Sequence, residues 1–112
     1  MDLRNNCIEY FAAWNAKDLD KLAELFADDI YTRDWETSAE GKADSLVANK
    51  AIFDTFATCN AEPIELYQDD INMTVACHIN ISLDGVPPFE VIDLITFDQD
   101  GKIVKLLAFR GN

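Results

Sequence analysis

Apolar residues recur at helical spacing through the first half of the chain and at every second position through the last part, with the change near Pro63. Leu3, Cys7, Tyr10, Phe11 and Trp14 fall on one helical face behind a candidate cap, Asp2, so residues 3–15 are predicted to form an amphipathic helix. Asn15 to Lys17 interrupt the pattern. Asp18 then caps a second, short helix through Leu19, Leu22, Ala23, Leu25 and Phe26, which Asp28-Asp29 ends as a solvated turn rather than a metal site. Ile30 to Trp35 is rich in β-branched and aromatic residues and reads as a strand, with Ile30, Thr32 and Asp34 on one face. Glu36 to Gly41 reads as a polar loop. Lys42 to Cys59 returns to helical spacing through Leu46, Val47, Ile52, Phe53 and Phe56, a third helix that should cover one face of a sheet.

From Pro63 onwards the pattern is that of strands, beginning with a short run through Ile64, Leu66 and Tyr67. Ile71, Met73, Val75, Cys77, Ile79, Ile81 and Leu83 then alternate with Asn72, Thr74, Ala76, His78, Asn80 and Ser82, which predicts a buried face and a polar one. His78 lies in the polar row, as an exposed or interface residue rather than an internal base. Asp84-Gly85 turns the chain into Phe89–Phe97, and Asp98 to Gly101 turns it again into Lys102–Arg110, giving antiparallel neighbours.

Within Phe89–Phe97 one ionisable residue breaks an apolar row. Phe89, Val91, Asp93, Ile95 and Phe97 share a face, so the Asp93 carboxyl must take up a proton or find a partner to avoid the cost of a buried charge. A structural aspartate bonded to nearby backbone or hydroxyls satisfies the same condition. Tyr10, between Cys7 and Trp14, likewise needs a partner for its hydroxyl if its ring is buried.

Composition narrows the function. With 112 residues, 49% of them apolar, the chain is long enough for one core, a single domain spanning 1–112. Nine Lys and Arg against 21 Asp and Glu leave a net charge of −12, which disfavours nucleic acid and anionic membrane surfaces as partners. Cys7, Cys59 and Cys77 are odd in number and lack metal-site spacing, which fits a reducing cytoplasm. No leader-like start and no apolar run of about 18 residues is found. Phosphate loops, nucleophile elbows and zinc-helix motifs are missing from the sequence, leaving scattered carboxylates and tyrosines to carry any chemistry.

The order helix, helix, strand, helix and strand meander, with Glu-Tyr-Phe-Ala-Ala-Trp-Asn-Ala-Lys-Asp-Leu-Asp and Leu-Phe-Ala-Asp-Asp, resembles the NTF2-like superfamily over nearly the whole chain. Ketosteroid isomerases and SnoaL-like proteins are the nearest branches. The resemblance implies an α+β cone: three N-terminal helices packed on the concave face of a curved, mostly antiparallel sheet, with a pocket inside. It also implies catalytic roles, Asp34 as general base with Tyr10 and a protonated Asp93 in Val-Ile-Asp as oxyanion donors, the neutral acid being the role known from ketosteroid isomerase. Trp14, Phe53, Val91, Ile95, Leu106, Ala108 and Arg110 would bind the substrate. No metal and no cofactor is implied.

The chain departs from the isomerases in ways that bear on the substrate. Trp35 follows Asp34 where they carry proline, Trp14 stands for a smaller residue, and the sequence ends at Asn112 without their C-terminal extension. Arg110 replaces an aromatic wall and would favour a small or acidic ligand. It could instead frame the mouth, or pair with Asp34 and quiet the base. The resulting expectation is a cofactor-independent isomerase or lyase acting on a small carbonyl compound, or else a non-catalytic ligand-binding or dimerisation module of the same fold. A homodimer paired through the polar row around His78 is also expected.

Overall fold

A computed structural model describes residues 2–111. Met1 and Asn112, and with them the expectation about the chain end, lie outside the described residues. The elements run α1 (Leu3–Asn15), α2 (Leu19–Leu25), β1 (Phe26–Arg33), β2 (Ser38–Glu40), α3 (Lys42–Thr55), β3 (Cys59–Asp69), β4 (Thr74–Leu83), β5 (Val86–Phe97) and β6 (Ile103–Arg110). The strands form one curved sheet in the order β2-β1-β6-β5-β4-β3. Every pairing is antiparallel except β1 with β6. The expected α+β cone is the observed fold.

Local chemistry accounts for the helix starts. The Asp2 carboxylate accepts the N–H of Asn5, and that of Asp18 accepts the N–H of Lys21, each satisfying a donor that the first turn leaves unpaired. α1 presents Leu3, Cys7, Tyr10, Phe11 and Trp14 to the interior and packs on β3 and β4, while α3 packs on β1 and β2. The β4 row Val75, Cys77, Ile79 and Ile81 and the β5 row from Phe89 to Phe97 form the sheet side of the core.

Several boundaries differ from the sequence reading. Phe26 is the first residue of β1, paired with Ile103, so α2 ends at Leu25. Asp28 and Asp29 lie inside β1 instead of in a turn. The pairing with β6 is irregular between Phe26 and Tyr31, and both acids project into solvent there. Short β2 appears within the expected polar loop, paired with the end of β1.

α3 stops at Thr55 because the Lys17 ammonium collects the carbonyls of Phe53, Phe56 and Ala57 at 2.6–3.1 Å, which leaves Cys59 free to open β3. β3 runs through Pro63, tolerated because this is an edge strand whose pairing shifts between Pro63 and Glu65. At the start of the next strand, Ile71 is 92% exposed, in a turn organised by the Asp69 carboxylate, which accepts the N–H groups of Ile71 and Asn72. β4 therefore begins at Thr74. β5 begins at Val86, three residues before Phe89, after a turn in which Gly85 takes φ +80°.

Candidate active site

Between α1, α3 and the concave sheet face lies a cavity of about 110 Å³. Tyr10 and Trp14 of α1, Asp93 of β5, Leu106 and Ala108 of β6, and Asp34 just past β1 all line it. The three residues expected to do chemistry are thus on one cavity. Phe53, Val91, Ile95 and Arg110, also expected to bind the substrate, are not among the residues that line this cavity. Phe53 stands behind Trp14, ring centroids 5.5 Å apart, and Val91 and Ile95 are sealed into the core. Strand alternation assigns Val91, Asp93 and Ile95 to one face, but the packing over that face leaves only Asp93 open to the cavity.

Tyr10 is held by its neighbours in the core, with ring centroids 5.2 Å from Phe11 and 6.3 Å from Phe26. Burial, and after it the nearby Asp93 carboxyl, pushes the phenol well above its ordinary range. Asp93 sits in register between Cys77 of β4 and Ala108 of β6 and is 6% exposed. Burial raises its pKa to about 7. Neither the Tyr10 hydroxyl nor the Asp93 carboxyl bonds to another described residue, yet no enclosed side-chain oxygen is left unsatisfied among the described residues. Both polar tips therefore reach the cavity space, the phenol in its protonated form and the Asp93 carboxyl able to donate below about pH 7.

Asp34 is built differently. Its Oδ1 accepts the N–H groups of Glu36 at 2.7 Å and Thr37 at 2.8 Å, and its own N–H donates to the Thr37 carbonyl at 2.9 Å. These bonds form a tight turn that fixes the carboxylate and leaves Oδ2 without a partner among the described residues. Half-buried and lining the cavity, Asp34 is a positioned acceptor.

A polar ladder closes the helical side. The Trp14 indole N–H donates to Oδ1 of Asn49 at 3.1 Å, Nδ2 of Asn49 donates to the Ser45 carbonyl at 2.9 Å, and the Ser45 hydroxyl meets that of Thr32 at 3.2 Å. Arg110 lies on the same sheet face as Ala108 but beyond the cavity. Its guanidinium carbon is 4.0 Å from the Phe89 ring centroid and 5.8 Å from that of Trp35. It forms no ion pair with Asp34 or with any other described residue. His78 is on the opposite sheet face, with Nε2 2.8 Å from Oε1 of Glu90. Among the described residues no group of three or more His, Cys, Asp or Glu is placed to hold a metal ion, and no helix is long and apolar enough to cross a membrane.

The SnoaL-like domain family matches residues 8–106. The chain belongs to that family. No curated protein sequence matches it. This SnoaL-like chain is 26% identical to a candidate polyketide cyclase of Sinorhizobium meliloti, with a TM-score of 0.82 over 96% of this chain and 94% of the other. A candidate ketosteroid isomerase of Kribbella flavida superposes with a TM-score of 0.85 at 20% identity, covering 98% of this chain and 78% of the other. A candidate isomerase of the SnoaL-like family from Agrobacterium tumefaciens gives 0.83 at 16% identity with full coverage of both chains. At those two lower identities the likeness is one of fold.

Asn49 is a lining residue of the SnoaL-like cavity that sequence reasoning missed, and it bonds to both helices. A signal for it exists: Asn49 falls at helical spacing between Leu46 and Phe53, a polar interruption of the face α3 turns inward. A buried indole on the facing helix needs an acceptor of that kind.

Proposed function

We propose that this SnoaL-like protein is a cofactor-independent enzyme of the isomerase or lyase kind, abstracting a proton next to the carbonyl of a small molecule. The observation that carries the reading is the convergence of Tyr10, Asp34 and Asp93 on one cavity, with the Tyr10 hydroxyl and the Asp93 carboxyl free of protein partners among the described residues and the Asp34 carboxylate fixed by its turn. Oxygen-bound charge develops when a carbon acid loses its α-proton, and donors already aimed at that oxygen stabilise it without reorganising. Asp34 takes the proton from carbon, Tyr10 and Asp93 hold the enolate oxygen, and the protonated Asp34 returns the proton to the same or another carbon of the enolate.

The size of the cavity narrows the substrate. Ligand pockets usually span about 300–1,000 Å³, so about 110 Å³ suits a compact ketone or enone far better than a fused four-ring steroid. Trp14 is the bulkiest side chain that α1 contributes to that lining.

A second reading, ligand binding without catalysis, is favoured by one observation: Oδ1 of Asp34 is already engaged by two backbone N–H groups. Deuterium exchange at the α-carbons of cyclopentanone, followed by proton NMR in heavy water, separates the two. The enzyme reading expects exchange well above the buffer rate and a loss of roughly 10²–10⁴-fold in Asp34→Asn, which keeps an acceptor for the turn. Binding with exchange no faster than buffer supports the second reading instead.

A further inference from the structure

Beside the cavity mouth lies an open cleft formed by Trp35, Pro87, Pro88, Phe89, Arg110 and Gly111. Trp35 also lines the cavity, so the two spaces share a wall. Its ring meets that of Phe89 edge to face, centroids 5.7 Å apart and planes 89° apart, and the Arg110 guanidinium lies over Phe89. A guanidinium placed over a ring is held by that contact and still has N–H groups to offer a planar anion. Trp35 remains 42% exposed although it is a large aromatic residue.

We propose that this cleft is an anion subsite that receives the carboxylate of a keto-acid substrate whose reacting carbonyl sits in the cavity. The inference rests on the proposed function for the identity of the reacting group, and on the cleft alone for the charge. Three observations carry it. Arg110 forms no ion pair among the described residues of a chain with 21 acidic side chains. Glu90, whose backbone carbonyl accepts the Gly111 N–H beside Arg110, directs its carboxylate to His78 on the opposite sheet face. Finally, Arg110 opposes Val91 in register while Ala108 opposes Asp93, so the guanidinium arises one same-face step along β6 from the cavity wall. Two strand residues span roughly 7 Å, which calls for a flexible arm of several atoms between carbonyl and carboxylate.

The test is calorimetric titration of 6-oxoheptanoate and its methyl ester into wild type, Arg110→Met and Asp34→Asn. The wild type is expected to bind the acid on the order of tenfold more tightly than the ester, in line with one charge-assisted contact. That preference should shrink in high salt, vanish in Arg110→Met, and hold or grow in Asp34→Asn, where a neighbouring negative charge is gone. Equal binding of acid and ester by wild type, failure of both to bind, or an unchanged preference in Arg110→Met overturns the subsite. An acid preference without α-proton exchange leaves the subsite standing and removes the isomerase reading; exchange of cyclopentanone without an acid preference does the reverse.

Discussion

Trp14 of α1 donates its indole N–H to Oδ1 of Asn49 on α3 across 3.1 Å, joining the two helices that line the cavity. One side chain thus limits the cavity and holds its helical wall together. Trp14→Phe is expected to lower stability by about 1–3 kcal/mol, since it removes the bond and leaves the Asn49 acceptor facing a cavity enlarged by part of an indole. Urea denaturation checks the stability. The same variant should gain affinity for bulkier ketones, read as ligand-dependent shifts in melting temperature.

Lys17 does comparable work for α3. Its ammonium meets three carbonyls at the C-terminal end of that helix, where a positive charge is also favoured by the helix dipole. Lys17→Met keeps the stem and deletes the charge. A loss of roughly 1–3 kcal/mol is expected, because two of the three carbonyls belong to part-buried contacts. A denaturation midpoint equal to that of wild type would show that water replaces the ammonium without penalty.

These two interactions show where sequence reasoning stops. Asp2 and Asp18 are legible as caps because a cap is settled within three residues, and the β4 alternation is legible because period-two burial is local. The end of α3 is not, since the group that terminates it lies 36–40 positions upstream. Phe56 therefore reads as helix on spacing alone. The same holds for Asp28 and Asp29, which lie in the irregular part of a strand whose two ends pair with β6, the far end of the chain.

The site divides along similar lines. Asp93 and Tyr10 are each legible as polar groups in apolar rows, and their position side by side follows only from the resemblance to a fold. Which parts of the β5 face stay open depends on how α1 sits on it, so Val91 and Ile95 could not be separated from Asp93 by alternation. Arg110 has the expected face and a different place, drawn outward by the Phe89 ring.

A homodimer paired through the convex side of the sheet is a further prediction. Ile92 and Phe109 pair across β5 and β6 and are 38% and 45% exposed, next to His78 in the adjoining strand. Exposed large apolar residues in register are expected at an interface. Light scattering at micromolar concentration should give twice the chain mass for wild type and a shift towards the monomer for Ile92→Glu. A wild-type monomer would remove the dimer from the picture.

Asp93 ties stability to pH. Burial raises the pKa of its carboxyl to about 7 in the folded protein, whereas an aspartate in the unfolded chain ionises near ~3.9. Between those values the folded state binds the extra proton, so its stability falls as pH rises through the interval and levels off above the folded pKa. Asp93→Asn carries a donor that does not titrate, and comparing the two proteins cancels groups common to both. Relative to wild type, the variant should gain roughly 2–3 kcal/mol between pH 5 and pH 8 in urea denaturation. Ketone exchange by wild type should decline over the upper part of that range, since an ionised Asp93 no longer donates and repels the enolate. A stability difference independent of pH, together with an ordinary acidic midpoint in carbon-13 titration of the side chain, would mean that water or a counter-charge solvates Asp93 and that Tyr10 is the cavity's only neutral donor of the pair.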